Sequence, residues 1–63
     1  MNNFKFCELQ NEITWYAVDN GLACGDAFGY VFENAMKSGD DEKCQDLIDF
    51  KKEVYRIDSN FLN

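Results

Sequence analysis

The sequence has no histidine and no proline, and its 63 residues hold only six lysines and arginines against twelve aspartates and glutamates. Without histidine it lacks the side chain that most often serves as general base or metal ligand near neutral pH. Without proline it lacks the commonest interruption of a helix. The shortage of positive charge leaves a formal net charge of −6 and a sequence pI near 4.2. That balance repels nucleic acid and anionic membrane surfaces and favours basic partners, so direct nucleic-acid binding is not expected. The same charge would also serve to keep a small protein soluble.

Cysteine is sparse and unpaired. Cys7, Cys24 and Cys44 are odd in number and form no Cys-x-x-Cys pair, a pattern suited to a reducing compartment. With no histidine, a zinc site would need carboxylates or a second chain, so no metal and no cofactor are expected; the cysteines read as small buried hydrophobes. There is no charged-then-apolar leader and no run of eighteen apolar residues, so neither a signal peptide nor a membrane span is expected, and a cytoplasmic location follows. The chain is long enough for one domain, residues 1–63, that buries only about 60% of its unfolded surface, which leaves little depth for an active-site cavity.

What is present is apolar side chain: 46% of residues are hydrophobic and 16% aromatic, enough for a packed core and more than an acidic disordered tail would carry. The first segment admits two readings. Ile13 to Val18 has strand-like composition and could form a hairpin with Phe4 to Leu9. On a helical projection, however, Lys5, Glu8, Glu12 and Asp19 share one arc of about 60°, while Phe6, Leu9, Ile13, Tyr16 and Ala17 share the arc beside it. Asn2 or Asn3 can cap the start, and Asn20-Gly21-Leu22 reads as a helix stop. The periodicity therefore favours a helix. A second helix follows from Phe28, Val31, Phe32, Ala35 and Met36, spaced i, i+3, i+4, i+7, i+8, with Tyr30, Glu33, Asn34 and Lys37 outside and Ser38-Gly39 as its end. Asp40, Asp41 and Glu42 open a third, with Cys44, Leu47, Ile48, Val54 and Tyr55 as its core stripe and Phe50 and Ile57 widening it. Phe61 and Leu62 can fold back on that core. The expected fold is all-α, a compact three-helix bundle, with an N-terminal β-hairpin followed by two helices (α+β) as the alternative.

Three surfaces carry candidate function. Glu42, Asp46, Asp49 and Glu53 recur at steps of four, three and four, which lines them up on one helix face. At 1.5 Å rise per residue their spacing is about 4.5 to 6 Å along the axis, comparable to the phosphate spacing of one nucleic-acid strand. Such a row, extended by Asp41 and by Asp40, Glu8, Glu12 and Asp19, could imitate a phosphate backbone. An ordinary solvated face, with Lys52 and Arg56 pairing to Asp49 and Glu53, explains the same spacing. The second surface is a separate apolar arc of the first helix, Phe4, Cys7, Trp15 and Val18, with Trp15 as the anchor of a core or partner contact. The third is Tyr30, pointing outward beside Glu33 and Lys37.

No nucleophile–base pairing, phosphate-cradling glycine loop or calcium-loop pattern is present, and carboxylates on an exposed helix face lack the burial that separates an acid from a base. An enzyme is not expected. In size, acidity and aromatic content the chain is similar to the small inhibitors that phages and mobile elements direct against host nucleases, transcription or defence complexes, a likeness of character with no shared motif. The expected function is that of a small acidic protein–protein interaction protein, an inhibitor of a basic nucleic-acid-handling enzyme or complex. The alternative is a structural or assembly module that forms a homodimer through its aromatic surface.

Overall fold

The computed structural model describes residues 1–57, which form three helices: α1 (Asn3–Asn20), α2 (Cys24–Lys37) and α3 (Asp41–Ile57). The described residues include no strand, so the segment read either as hairpin or helix is helical from Asn3 to Asn20. Phe61 and Leu62 lie outside the described residues.

The turns explain why the helices start and stop where they do. Asn2 is extended, and its Oδ1 accepts the Lys5 N–H at 2.7 Å, satisfying one of the donors a helix start leaves unpaired. At the other end Gly21 adopts φ 64°, ψ 39°, and the Leu22 N–H reaches back to the Ala17 carbonyl at 2.8 Å. This six-to-one bond over a left-handed glycine closes α1 as a Schellman motif. The same device ends α2: Gly39 has φ 72°, and the Asp40 N–H donates to the Ala35 carbonyl at 3.0 Å. Asp40 then serves twice, because its Oδ1 accepts the Lys43 N–H at 3.0 Å and so caps α3.

Three buried residues from each helix make the core: Leu9, Ile13 and Ala17; Ala27, Val31 and Ala35; Leu47, Phe50 and Val54. The α2 stripe is made of small side chains, while Ile13, Leu47 and Phe50 are the largest fully buried ones. Small residues on α2 let α1 and α3 press close to it, and the large side chains from either side fill the space between. Phe50 is flanked by rings, with centroids 4.9 Å from Phe6 and 6.5 Å from Phe28. The body measures 29 × 28 × 17 Å, a thick disc, and α1 alone spans about 27 Å. The helices therefore cross one another rather than lying along one common axis, and α1 and α3 touch less than either touches α2.

Several expected core positions are displaced. On α2, Met36 is 56% exposed and Ala27 is fully buried in its stead, because the buried line follows the i, i+4, i+8 row Ala27-Val31-Ala35. Phe28 and Phe32 pack against the core from one side, half-buried. On α3, Ile48, Tyr55 and Ile57 are exposed, and Phe50 is at the centre. The helix is turned so that Leu47-Phe50-Val54 faces inward, which leaves Ile48 and Tyr55 on the outer flank. Cys7 is exposed, contrary to its reading as a buried hydrophobe, whereas Cys24 and Cys44 are half-buried against the core; all three are free thiols.

Candidate functional site

The acidic row of α3 exists, but its members are not free. Asp46 is ion-paired to Lys5 at 2.9 Å, and Glu42 lies 3.5 Å from the same ammonium. Asp49 accepts a hydrogen bond from Gln45 Nε2 at 3.2 Å, and Glu53 meets Arg56 at 2.6 Å, an i, i+3 pair. The Arg56 pairing is the one expected for an ordinary helix face; Lys52 makes no such pair with Asp49 among the described residues. Three of the four carboxylates lie half-buried along the helix flank, and Glu42 remains open, its side chain 83% exposed.

The interhelical pairs define how α1 and α3 meet. Lys5 reaches Asp46, Phe6 packs on Phe50 with the rings tilted at 37°, and Lys43 reaches Glu12 at 2.8 Å. Asp46 and Phe50 thus meet the first turn of α1, and Lys43 meets Glu12 farther along it. The arrangement gathers acids that the sequence could not place relative to one another. Glu8 and Glu12 from α1 and Asp40, Glu42 and Asp46 from the start of α3 surround one shallow groove of about 290 Å³ together with Lys5 and Lys43. Five carboxylates against two ammonium groups leave the groove at a formal −3. Lys5 responds to this field: its hydrogen bond to Asp46 first, then the charge of Asp46, with Glu42 adding, raises its pKa above the ordinary lysine value. Glu8 and Asp41 are exposed and make no ion pair among the described residues, and Asp41 stands beside Glu42 in the first turn of α3. The sequence missed Lys5 and Lys43 as cross-links of the seam. One available signal was that Lys5 is the sole cation of α1, embedded in the arc of Glu8, Glu12 and Asp19.

The other two surfaces also take definite positions. Phe4, Trp15 and Val18 are 79%, 65% and 66% exposed, and Cys7 between them is exposed as well. They occupy the side of α1 opposite Leu9, Ile13 and Ala17, so α1 is apolar on two sides and only one faces the core. Tyr30 is 49% exposed, but its ring leans on Tyr16 with centroids 6.1 Å apart. It borders a wide, shallow depression of about 570 Å³ whose floor is Gly25 and Gly29 and whose rim includes Asp26 and Glu33. Glu33 is paired to Lys37 at 3.0 Å.

Comparison with protein-family models, with curated proteins and with solved structures returns no significant match. Function is therefore argued from these surfaces alone. Every buried side chain among the described residues is apolar, and no described helix is long and apolar enough to cross a membrane. What the surface offers is a net negative charge gathered at the α1–α3 seam and an apolar ridge on the outer face of α1.

Proposed function

We propose that the protein is a small acidic interaction module that binds a basic, nucleic-acid-handling enzyme or complex and inhibits it by occupying the groove meant for the phosphate backbone. The observation that carries this reading is the convergence of Glu8, Glu12, Asp40, Glu42 and Asp46 from two helices on one seam, where only Lys5 and Lys43 oppose them. A residual negative field at a rigid junction attracts a basic surface and orients its approach. It acts at the range of about one Debye length, so binding of this kind weakens as salt rises.

On this reading the contact falls on the acids whose charge is least committed within the fold. Asp46, Asp49 and Glu53 already satisfy Lys5, Gln45 and Arg56, and a partner would have to displace those groups to use them. Glu8 and Asp41 are exposed and make no ion pair among the described residues, and Glu42, 3.5 Å from Lys5, keeps its side chain 83% exposed.

The test is neutralisation of that trio. Glu8→Gln, Asp41→Asn and Glu42→Gln together leave the helix caps and the Lys5–Asp46 pair in place, so far-ultraviolet circular dichroism should be unchanged. Tagged wild type should retain a nucleic-acid-binding protein from bacterial lysate, release it to added DNA or RNA and to rising salt, and lose it in the triple variant. Retention of the same partner by both proteins would remove the electrostatic reading.

The alternative reading, a homodimer through the aromatic surface, draws on the exposure of Phe4, Trp15 and Val18. Light scattering decides it: a dimer that Trp15→Ala dissociates would establish that reading, and a monomer at high concentration would remove it.

A further inference from the structure

One face of α1 remains unaccounted for by the fold and by the acidic seam. Phe4, Cys7, Asn11, Trp15 and Val18 follow one another at steps of three and four and are all exposed, forming a ridge about 21 Å long. Its two edges differ. At about 100° per residue, Glu8 and Asp19 fall along one side of the crest, with Glu12 just beyond, and Gln10 and Thr14 fall along the other. The ridge thus has an apolar crest interrupted at mid-length by Asn11, with acids along one flank and neutral residues along the other. Large apolar side chains held this far into water raise the free energy of the unbound protein and mark a contact surface.

We propose that this ridge is the docking element for a protein partner that presents an apolar cleft with lysines or arginines along one lip, the lip that meets Glu8 and Asp19. The proposal rests on the reading that the partner is basic, and it adds the surface that supplies the affinity and the register. Two arguments favour such a cleft over a second copy of the chain. The first is charge. A second copy laid antiparallel across the ridge by a twofold axis sets the Glu8–Asp19 edge against its own counterpart, and in any orientation two bodies of −6 are brought together. A cleft with one basic lip pairs each flank of the ridge with its complement. The second is area. A helix crest about 21 Å long and about 10 Å wide, laid flat on another helix, falls well short of the roughly 800 Å² per partner of a standard interface. A cleft that receives the crest covers both flanks too, the mode by which amphipathic helices seat in grooves with aromatic residues as anchors. Trp15 is the only tryptophan in the chain, so its fluorescence reports on this surface alone.

The experiment places the photo-cross-linker p-benzoylphenylalanine at Phe4 and, in a second protein, at Val18, and illuminates each in bacterial lysate at low salt. The expected result is one common adduct from both positions, to a basic protein, with the cross-linked peptides mapping to an apolar cleft flanked by lysine or arginine. That protein, purified, should shift Trp15 emission to the blue. Its affinity should fall about tenfold or more for Phe4→Ser/Val18→Ser, a variant whose fold the exposure of both residues protects. Adducts to a second copy of this chain would overturn the proposal in favour of self-association. Absence of a common adduct, or a basic partner that Phe4→Ser/Val18→Ser binds as tightly as wild type, would overturn the ridge while leaving the acidic seam as the contact. Loss of that partner in an Asp41→Asn/Glu42→Gln variant, which keeps Glu8 and Asp19 on the ridge flank, is a separate readout, so the two readings fail independently.

Discussion

Phe50 is the position where the structure and the helical periodicity of the sequence differ most in consequence. The periodicity sets it at the edge of the α3 stripe; the structure buries it completely, between the rings of Phe6 and Phe28. Truncating a buried phenylalanine to alanine costs about 3 to 5 kcal/mol, the sum of lost burial and an unfilled cavity. A domain of this length holds a total of about 3 to 9 kcal/mol. Phe50→Ala should therefore consume a third of the stability at the least and unfold the weakest such domain outright. Since each kcal/mol moves the midpoint of a domain this small by about 4 to 8 °C, Tm should fall by about 12 °C or more. Phe50→Leu, which keeps most of the volume, should cost less than about 1.5 kcal/mol. Met36→Ala and Tyr55→Ala, at positions whose periodicity suggests core but whose side chains are 56% and 43% exposed, should each stay within about 1 kcal/mol of wild type. Thermal melts followed by circular dichroism, with urea titrations for the free energies, give all four values. If Met36→Ala or Tyr55→Ala were as damaging as Phe50→Ala, the orientation of α2 or α3 described above would be wrong.

Other perturbations separate the remaining parts of the argument. Lys5→Met removes the cation that joins α1 to Asp46 and Glu42. Because those carboxylates raise the Lys5 pKa, their contribution to stability is complete below the unfolded lysine value of 10.5 and drains away as pH rises through the higher folded value. Urea titrations at neutral pH should find Lys5→Met less stable than wild type, and the difference should shrink above pH 10.5; a difference that stayed constant with pH would place its origin in packing. The two glycines Gly21 and Gly29 should respond to alanine with opposite signs. Gly21 sits at φ 64°, where a side chain is strained, so Gly21→Ala should destabilise by about 1 kcal/mol. Gly29 lies inside α2 with open space around the site of an added Cβ, so Gly29→Ala should stabilise by about 0.5 to 1 kcal/mol, read as a rise in Tm. Asn2→Ala and Asp40→Ala each remove a helix cap and should cost about 1 kcal/mol, with Asp40 the more severe if it also loosens the turn between α2 and α3.

The helices were legible in the sequence because each is encoded by signals that do not depend on tertiary context. Asn2 and Asp40 before a first turn, and glycine at Gly21 and Gly39 after a last one, mark ends through local hydrogen bonds alone. Periodicity marks the inward half of each helix, and Leu9, Ile13, Ala17, Val31, Ala35, Leu47 and Val54 were all readable in that way. The rotation of each helix within that half was not. An apolar arc as wide as that of α3 contains both Phe50 and Tyr55, and it is Phe50 that meets rings from the other two helices, Phe6 and Phe28. Ala27, too short to stand out as a core residue, is fully buried in line with Val31 and Ala35, and burial of so small a side chain is set by helix packing rather than by any local pattern.

The acidic spacing fixes a helix face but not its availability to a partner. Steps of four, three and four put Glu42, Asp46, Asp49 and Glu53 on one face whatever the rest of the chain does, and the structure keeps them there. Whether such a face is available to a partner depends on what stands opposite, and for Asp46 that is Lys5, forty-one positions earlier in the chain. Neutralising all four carboxylates would remove a bond between helices together with any bond to a partner. A loss of binding in such a protein would therefore confound two causes. Glu8 and Asp41 avoid that ambiguity because neither makes an ion pair among the described residues, and Glu42 comes nearest to doing so, since its 3.5 Å pair with Lys5 is largely in water. An exposed pair of that kind contributes little to folding, while the same charge aimed at a basic surface at low salt contributes to capture. The acids that matter for recognition should then be those that the fold has left unspent, Glu8 and Asp41 foremost, with Glu42 next because its side chain is largely in water.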